Sequence, residues 1–136
     1  MNNHEAARTN LRRARAILEE ARRHQAQGVW NLTVRRAQEV VEIALKGALL
    51  WAGVEVPHIH DVGPVLRGNA SRFPTEFSQH TSRLVSISRA LAVERERSFY
   101  GDELSGIPPE ELYDHQDAQE ALDRAGFVLD ICQRLV

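Results

Sequence analysis

The chain of 136 residues has a single cysteine, Cys132. No disulfide can form within it, and a reducing compartment fits that usage best. No apolar run follows Met1, which argues against a secretory leader. The greasiest run, around Leu45 to Val54, is too short and too charged upstream to span a bilayer. A soluble, cytoplasmic protein with no membrane association is the expectation. A net positive charge is also missing: the formal charge is -2. There is thus no global signature for nucleic acid, although arginine dominates the cations and many arginines fall in the first 36 residues. No Walker-type glycine loop, no G-x-G-x-x-G and no H-E-x-x-H occurs, and no cofactor is implied. Sustained period-two alternation is absent, so no strand is expected. There is neither an internal repeat nor a low-complexity tract.

What is present is an ordinary globular composition, 43% hydrophobic and 26% charged, which argues against disorder and fits one domain over residues 1–136. The organising stretch runs from Val29 to Gly53. At 3.6 residues per turn, Ala37, Val41, Ala44, Leu45, Ala48 and Ala52 share one apolar face, and Val40, Ile43, Leu50 and Trp51 widen it. A helix this apolar belongs at the centre of a fold. Its polar exceptions, Arg35, Gln38, Glu39, Glu42 and Lys46, form one narrow stripe that must face a groove, a partner or solvent.

The preceding stretch, from about Asn3 to Gln27, predicts a long first helix with Ala7, Leu11, Ala14, Leu18, Ala21 and Gln25 facing inward. Its other side carries Arg8, Arg12, Arg13, Arg15, Arg22 and Arg23 among Glu19 and Glu20. That side reads as a solvated, ion-paired face, with an anion-facing patch as the sharper alternative. Gly28 marks the turn into the central helix. Pro57 and Pro64 make Val54 to Ile59 an extended connection. Asp61 is expected to cap a short helix from Val62 to Arg67, ended by Gly68 and Asn69. A fourth helix starts near Pro74 and runs to about Phe99. Residues 101–115 form an ordered surface loop, and Asp114 or His115 opens the last helix. The fold class is all-α: an antiparallel bundle of four long helices plus one short one.

Few residues suggest chemistry. His58, His60 and Asp61 form an H-x-H-D cluster, but no further ligand lies at zinc spacing, so no metal is expected. Glu42 and Lys46 stand four apart in the favourable order for a helix ion pair; the alternative gives Lys46 a phosphate to hold, with Gln38 and Glu42 beside it. Arg95, Arg97, Phe99 and Tyr100 close the fourth helix, suiting either a dipole-complementing last turn or a cationic, aromatic surface for a base and its phosphate. Cys132 falls on a core face and reads as a small buried thiol.

The run RRAQEVVEIALKGALLWAGVEVPHIHDVGPVL resembles the signature of HEPN domains (higher eukaryotes and prokaryotes nucleotide-binding), through Gln38, Glu42, Lys46, Leu49, Leu50, Pro57, His60 and Asp61. The segments FYGDE and PPEELYDHQDAQEALDRAGFVLDIC are similar to the family's closing part, so the likeness covers nearly the whole chain. It implies the five-helix bundle of that family and a habit of homodimerisation. Many HEPN domains are RNases that use an Arg and a His with four to six residues between them. Here none of the six histidines has an Arg at that distance before it, so the usual proton-transferring group is missing. The resemblance then implies a non-catalytic domain that binds a nucleotide or RNA, or accompanies a nucleotidyltransferase, as in toxin–antitoxin type systems. Its candidate contacts are Arg35, Gln38, Glu42, Lys46, His60 and Arg97. Lys46 and the arginines would meet phosphates, Gln38 would bond base or ribose, and Glu42 would orient Lys46. Two alternatives stand: an RNase with an atypical pair, Arg97 with Tyr100 or His115, and a plain dimeric interaction module.

Overall fold

A computed structural model describes residues 2–136. Four long helices carry the fold: α1 (Asn3–Ala26), α2 (Trp30–Trp51), α5 (Thr81–Tyr100) and α7 (His115–Leu135). Between them lie three short pieces, α3 (Gly63–Gly68), α4 (Thr75–Ser78) and α6 (Pro109–Leu112), and a 3-10 turn at Ala70–Arg72. Among the described residues no helix is long and apolar enough to cross a membrane.

The bundle runs up, down, up, down. Asn10 hydrogen-bonds Ile43 and Arg36 pairs with Glu20, so α1 and α2 are antiparallel. Asn31 bonds the carbonyl of Ser98, so α2 and α5 are antiparallel too. Gln25 bonds Gln119 and sets α1 against α7 in the same sense. Helix α2 packs on all three of the others, whereas α5 and α7 barely touch. It is the central element that its sequence requires, with Ala37, Val40, Ala44, Leu45, Ala48 and Leu49 withdrawn completely from solvent.

Small residues set how closely α1 approaches. Ala7, Ala14 and Ala21 repeat every seven residues and are fully buried, with Leu11 and Leu18 between them. A seven-residue spacing keeps side chains on one stripe of a helix. Opposite Ala7 stands Gly47, where an added Cβ would lie 3.2 Å from the Asn10 Cβ and 3.4 Å from the Ala7 carbonyl. At the ends of α2 the two indoles pack against imidazoles. Trp30 meets His115 edge-on at 5.3 Å, and Trp51 stacks on His4 at 5.6 Å and on Phe73 at 6.3 Å.

Three boundaries differ from the sequence reading. The stretch from Pro74 to Phe99 is not one helix: the chain leaves α4 at Gln79 and His80 and restarts at Thr81. Phe77 must turn into the core beside Phe73, 4.5 Å away, and the Thr81 hydroxyl donates to the Ser78 carbonyl, which fixes the bend. Asp61 is not the N-cap of α3, a place held by Val62. Its carboxylate instead accepts from the Gly63 amide and the Ser88 hydroxyl, tying the connection to α5. The loop after α5 contains α6 and a tight turn closed by the Asp102 amide on the Ile107 carbonyl. At α7 the expected start holds, with Asp114 and Asp117 exchanging hydrogen bonds as a capping box.

Gly101 makes that turn possible. Its φ is +82°, and a Cβ there would come within 2.4 Å of the Ile107 carbonyl oxygen. Gly101→Ala is therefore expected to cost more than about 1 kcal/mol, since alanine is poorly suited to positive φ and the turn must also open. Urea denaturation of the variant beside wild type measures this, and an unchanged midpoint would refute it.

Candidate functional site

The polar stripe of α2 does not face open solvent. It lies under the second half of α5 and the connection that carries His60. Glu42 is the hub. Its side chain is 13% exposed and accepts from Lys46 Nζ at 2.9 Å, Gln38 Nε2 at 3.0 Å and His60 Nδ1 at 3.0 Å. The last contact requires Nδ1 to carry a proton. Arg95 reaches across from α5, donating to Gln38 Oε1 at 2.8 Å with its Nη1 also 3.9 Å from Glu42. Burial on its own would push the Glu42 carboxyl up. The hydrogen bonds from Lys46, Gln38 and His60, with the Lys46 charge, hold it below the ordinary glutamate range.

Arg35 belongs to the same face one turn earlier. It donates to the Arg95 carbonyl at 2.6 Å, and its guanidinium lies 4.8 Å from the centre of the Phe99 ring. A cation here complements the C-terminal end of α5. Counting Arg35, Lys46 and Arg95 against Glu39 and Glu42, the face carries one excess positive charge with His60 neutral. The Nε–H of Arg95 is buried with no partner, and that of Arg35 approaches Glu39 at 3.5 Å without hydrogen-bond geometry.

Of the six residues expected at a site, the structure thus brings together Gln38, Glu42, Lys46 and His60, with Arg35 alongside. Gln38 is 2% exposed and has both amide ends engaged, so it holds Glu42 and Arg95 in place and does not reach a ligand. Arg97 is elsewhere. It pairs with Glu94 at 3.2 Å, and Glu94 also accepts from the Tyr113 hydroxyl at 2.6 Å. Burial and that contact push the Tyr113 phenol well up. The member of the α5 cluster that enters the network is Arg95. Arg95 shares a face with Ser88, Ala92 and Phe99, whereas Arg97 is about 200° further round; that this face turns inward is shown by the burial of Ser88, which its polar side chain does not announce. Asp61 and Ser88 position His60 from behind. His115 packs edge-on against Trp30 while Arg97 bonds Glu94, and both side chains are exposed. His58 is exposed and takes no part in this network, and the Cys132 thiol is fully buried, which pushes its pKa up.

Because its folded-state pKa is lowered, Glu42 contributes stability above the ordinary glutamate range, and that contribution disappears as pH falls through the folded value. Melting temperatures of wild type and Glu42→Gln should therefore differ most near neutral pH and converge as the solution is acidified below the ordinary glutamate range. A gap that stays constant across that interval would contradict this account of the hub.

The HEPN domain family matches residues 7–135. A solved structure titled as TT1696 from Thermus thermophilus superimposes with a TM-score of 0.81 at 27% identity, covering 100% of both chains. ST0689, titled an archaeal HEPN homologue, has the same fold, with a TM-score of 0.72 at 24% identity over 94% of this chain and 95% of its own. No functionally curated protein matches. With the family match spanning almost the whole chain and the helix order agreeing, this protein belongs to the HEPN domain family.

Proposed function

We propose that this is a non-catalytic HEPN domain that binds a phosphate-bearing nucleotide on the face shared by α2, the His60 connection and α5. The observation that carries this reading is the excess positive charge gathered there, with Lys46 committed to a single acceptor. Lys46 uses one of its three N–H groups on Glu42 and keeps the others for a phosphate. Arg95 supplies a second cationic contact in place of Arg97, His60 presents Nε2 at the rim, and Glu42 orients both Lys46 and His60. The missing Arg–His pair supports binding without RNA cleavage.

A thermal-shift series with nucleoside mono-, di- and triphosphates tests the reading. A ligand of the folded state adds about 2.7 kcal/mol of stability at a hundred times its Kd, so a clear rise in Tm is expected for at least one class. Lys46→Ala and Arg95→Ala should each reduce it. Lys46 is the one lysine in the sequence, so protection of its amine from acylation gives a second readout. A folded wild type that no nucleotide shifts would overturn the proposal.

A specific observation favours an accompanying role as an interaction module. Val93, Phe99, Tyr100, Leu104 and Ile107 are large, apolar and exposed around the end of α5, Leu104 fully so. Clustered exposed apolar residues mark protein contacts, and a second copy of this chain is the occupant that the family habit favours, with a nucleotidyltransferase as the other candidate. Leu104→Glu should lower the mass measured by light scattering from dimer to monomer without changing the helical circular dichroism. A wild type that is already monomeric at high concentration would exclude the self-interface.

A further inference from the structure

We propose that the cavity at the end of α2, between α4 and the last turns of α7, binds a small hydrophobic primary amine in its ammonium form. At about 460 Å³ it has the size of a small-molecule site. It exists because the chain bends out of α4 at Gln79 and His80, so that α4 stands over α7 with only light contact. Its walls are Trp51, Pro74, Phe77, Ile131 and Leu135. The aromatic side is already braced. Trp51 stacks on His4 at 5.6 Å and on Phe73 at 6.3 Å, and Phe73 stacks on Phe77 at 4.5 Å. Such a wall needs little further ordering when an apolar body enters.

The polar groups that remain open at the rim are all acceptors. Glu76, Gln79 and His80 line it from α4 and the bend. Among the described residues the Glu76 carboxylate has no ion pair and no hydrogen-bond donor, and only its backbone carbonyl is engaged, by Gln79 Nε2 at 3.3 Å. That bond turns the amide nitrogen of Gln79 inward and leaves Oε1 to accept. The His80 ring meets Phe127 edge-on at 5.7 Å and bonds no described residue, so its neutral form offers one acceptor nitrogen. The cation of the lining, Arg134, is matched by Asp130 at 2.8 Å. Counting Glu76 and Asp130 against Arg134, the rim carries one excess negative charge with His80 neutral.

An ammonium group brings donors alone, and a carboxylate, an amide oxygen and an imidazole nitrogen are what it requires. Bonds between a cation and an ionised acceptor are also the stronger kind. A carboxylate or phosphate head would face Glu76 and find Arg134 already paired, so anionic ligands are disfavoured here. A metal ion is disfavoured too, since no cluster of three His, Cys, Asp or Glu ligands occurs among the described residues. The five apolar walls call for a hydrophobic body, which separates this ligand from a polyamine. None of Lys46, Arg95 and His60 lines the cavity, so it is distinct from the α2–α5 face.

Isothermal titration calorimetry of the full chain with tryptamine, tryptophol and indole-3-acetate tests the cavity, because these probes share a ring and differ in the head group. Tryptamine should bind at least about tenfold more tightly than the other two, given the strength of hydrogen bonds between charged groups. Glu76 is exposed, so Glu76→Gln should match wild type in circular dichroism and Tm. The same variant should weaken tryptamine at least about tenfold and leave tryptophol unchanged. Lys46→Ala should bind tryptamine as wild type does, so this site and the nucleotide face succeed or fail separately. Equal affinity for the three probes would overturn the proposal in favour of an apolar cavity with no choice of head group. Tightest binding of indole-3-acetate would overturn it in favour of a contact to Arg134. Undiminished tryptamine binding by Glu76→Gln would also overturn it, as would a wild type that does not bind tryptamine at millimolar concentration.

Discussion

A carboxylate drawn largely out of water on the most apolar helix has to be supplied with donors, and Glu42 draws them from several parts of the chain. Lys46 and Gln38 come from its own helix, His60 from the connection, and Arg95 approaches from α5. Removing one partner from such a network leaves a buried polar group unmatched, which costs more than the contact itself is worth. The network therefore fixes the register of α2 against α5 more stringently than the apolar contacts could, because leucine and alanine tolerate small slides and hydrogen bonds do not. The connection is held by the same logic. Asp61 takes the Gly63 amide and the Ser88 hydroxyl, and so places His60 over Glu42.

The opposite side of the bundle follows another rule. Where α1 meets α2, alanines and Gly47 allow close approach, and the few polar contacts bridge the edges. Where α1 meets α7, larger charged residues stand apart around two neighbouring cavities. One helix thus has a tight apolar seam, a paired flank and an unpaired flank, and the distribution of its arginines decides which is which. The α2–α5 face is self-satisfied with a small surplus of charge; the α1–α7 face is largely unsatisfied.

Much of this was legible in the sequence, because the fold is built from long amphipathic helices whose periodicity is strong. The heptad of Ala7, Ala14 and Ala21 announces the inner face of α1, and the greasy run from Ala37 to Ala52 announces the centre. The polar stripe stood out for the same reason, and its first neighbours followed from i, i+4 spacing. What was not legible depended on contacts between helices. Choosing Arg95 over Arg97 needs the rotation of α5 about its axis, which its buried Ser88 and Ser98 disguise as a polar face. The bend before Thr81 depends on Phe77 finding Phe73, a tertiary contact with no local marker. Asp61 looked like an N-cap because its partner at Ser88 is 27 residues away.

The two indoles sit at opposite ends of α2, each against an imidazole from a different helix: His4 of α1 at Trp51, His115 of α7 at Trp30. Protonated imidazole quenches indole emission, and the two tryptophans are about 31 Å apart along the axis. The protein therefore carries two native optical reporters, one on the docking of the start of α1 and one on the docking of the start of α7. Replacing either tryptophan by phenylalanine would leave the other to follow the seating of a single helix as the bundle assembles.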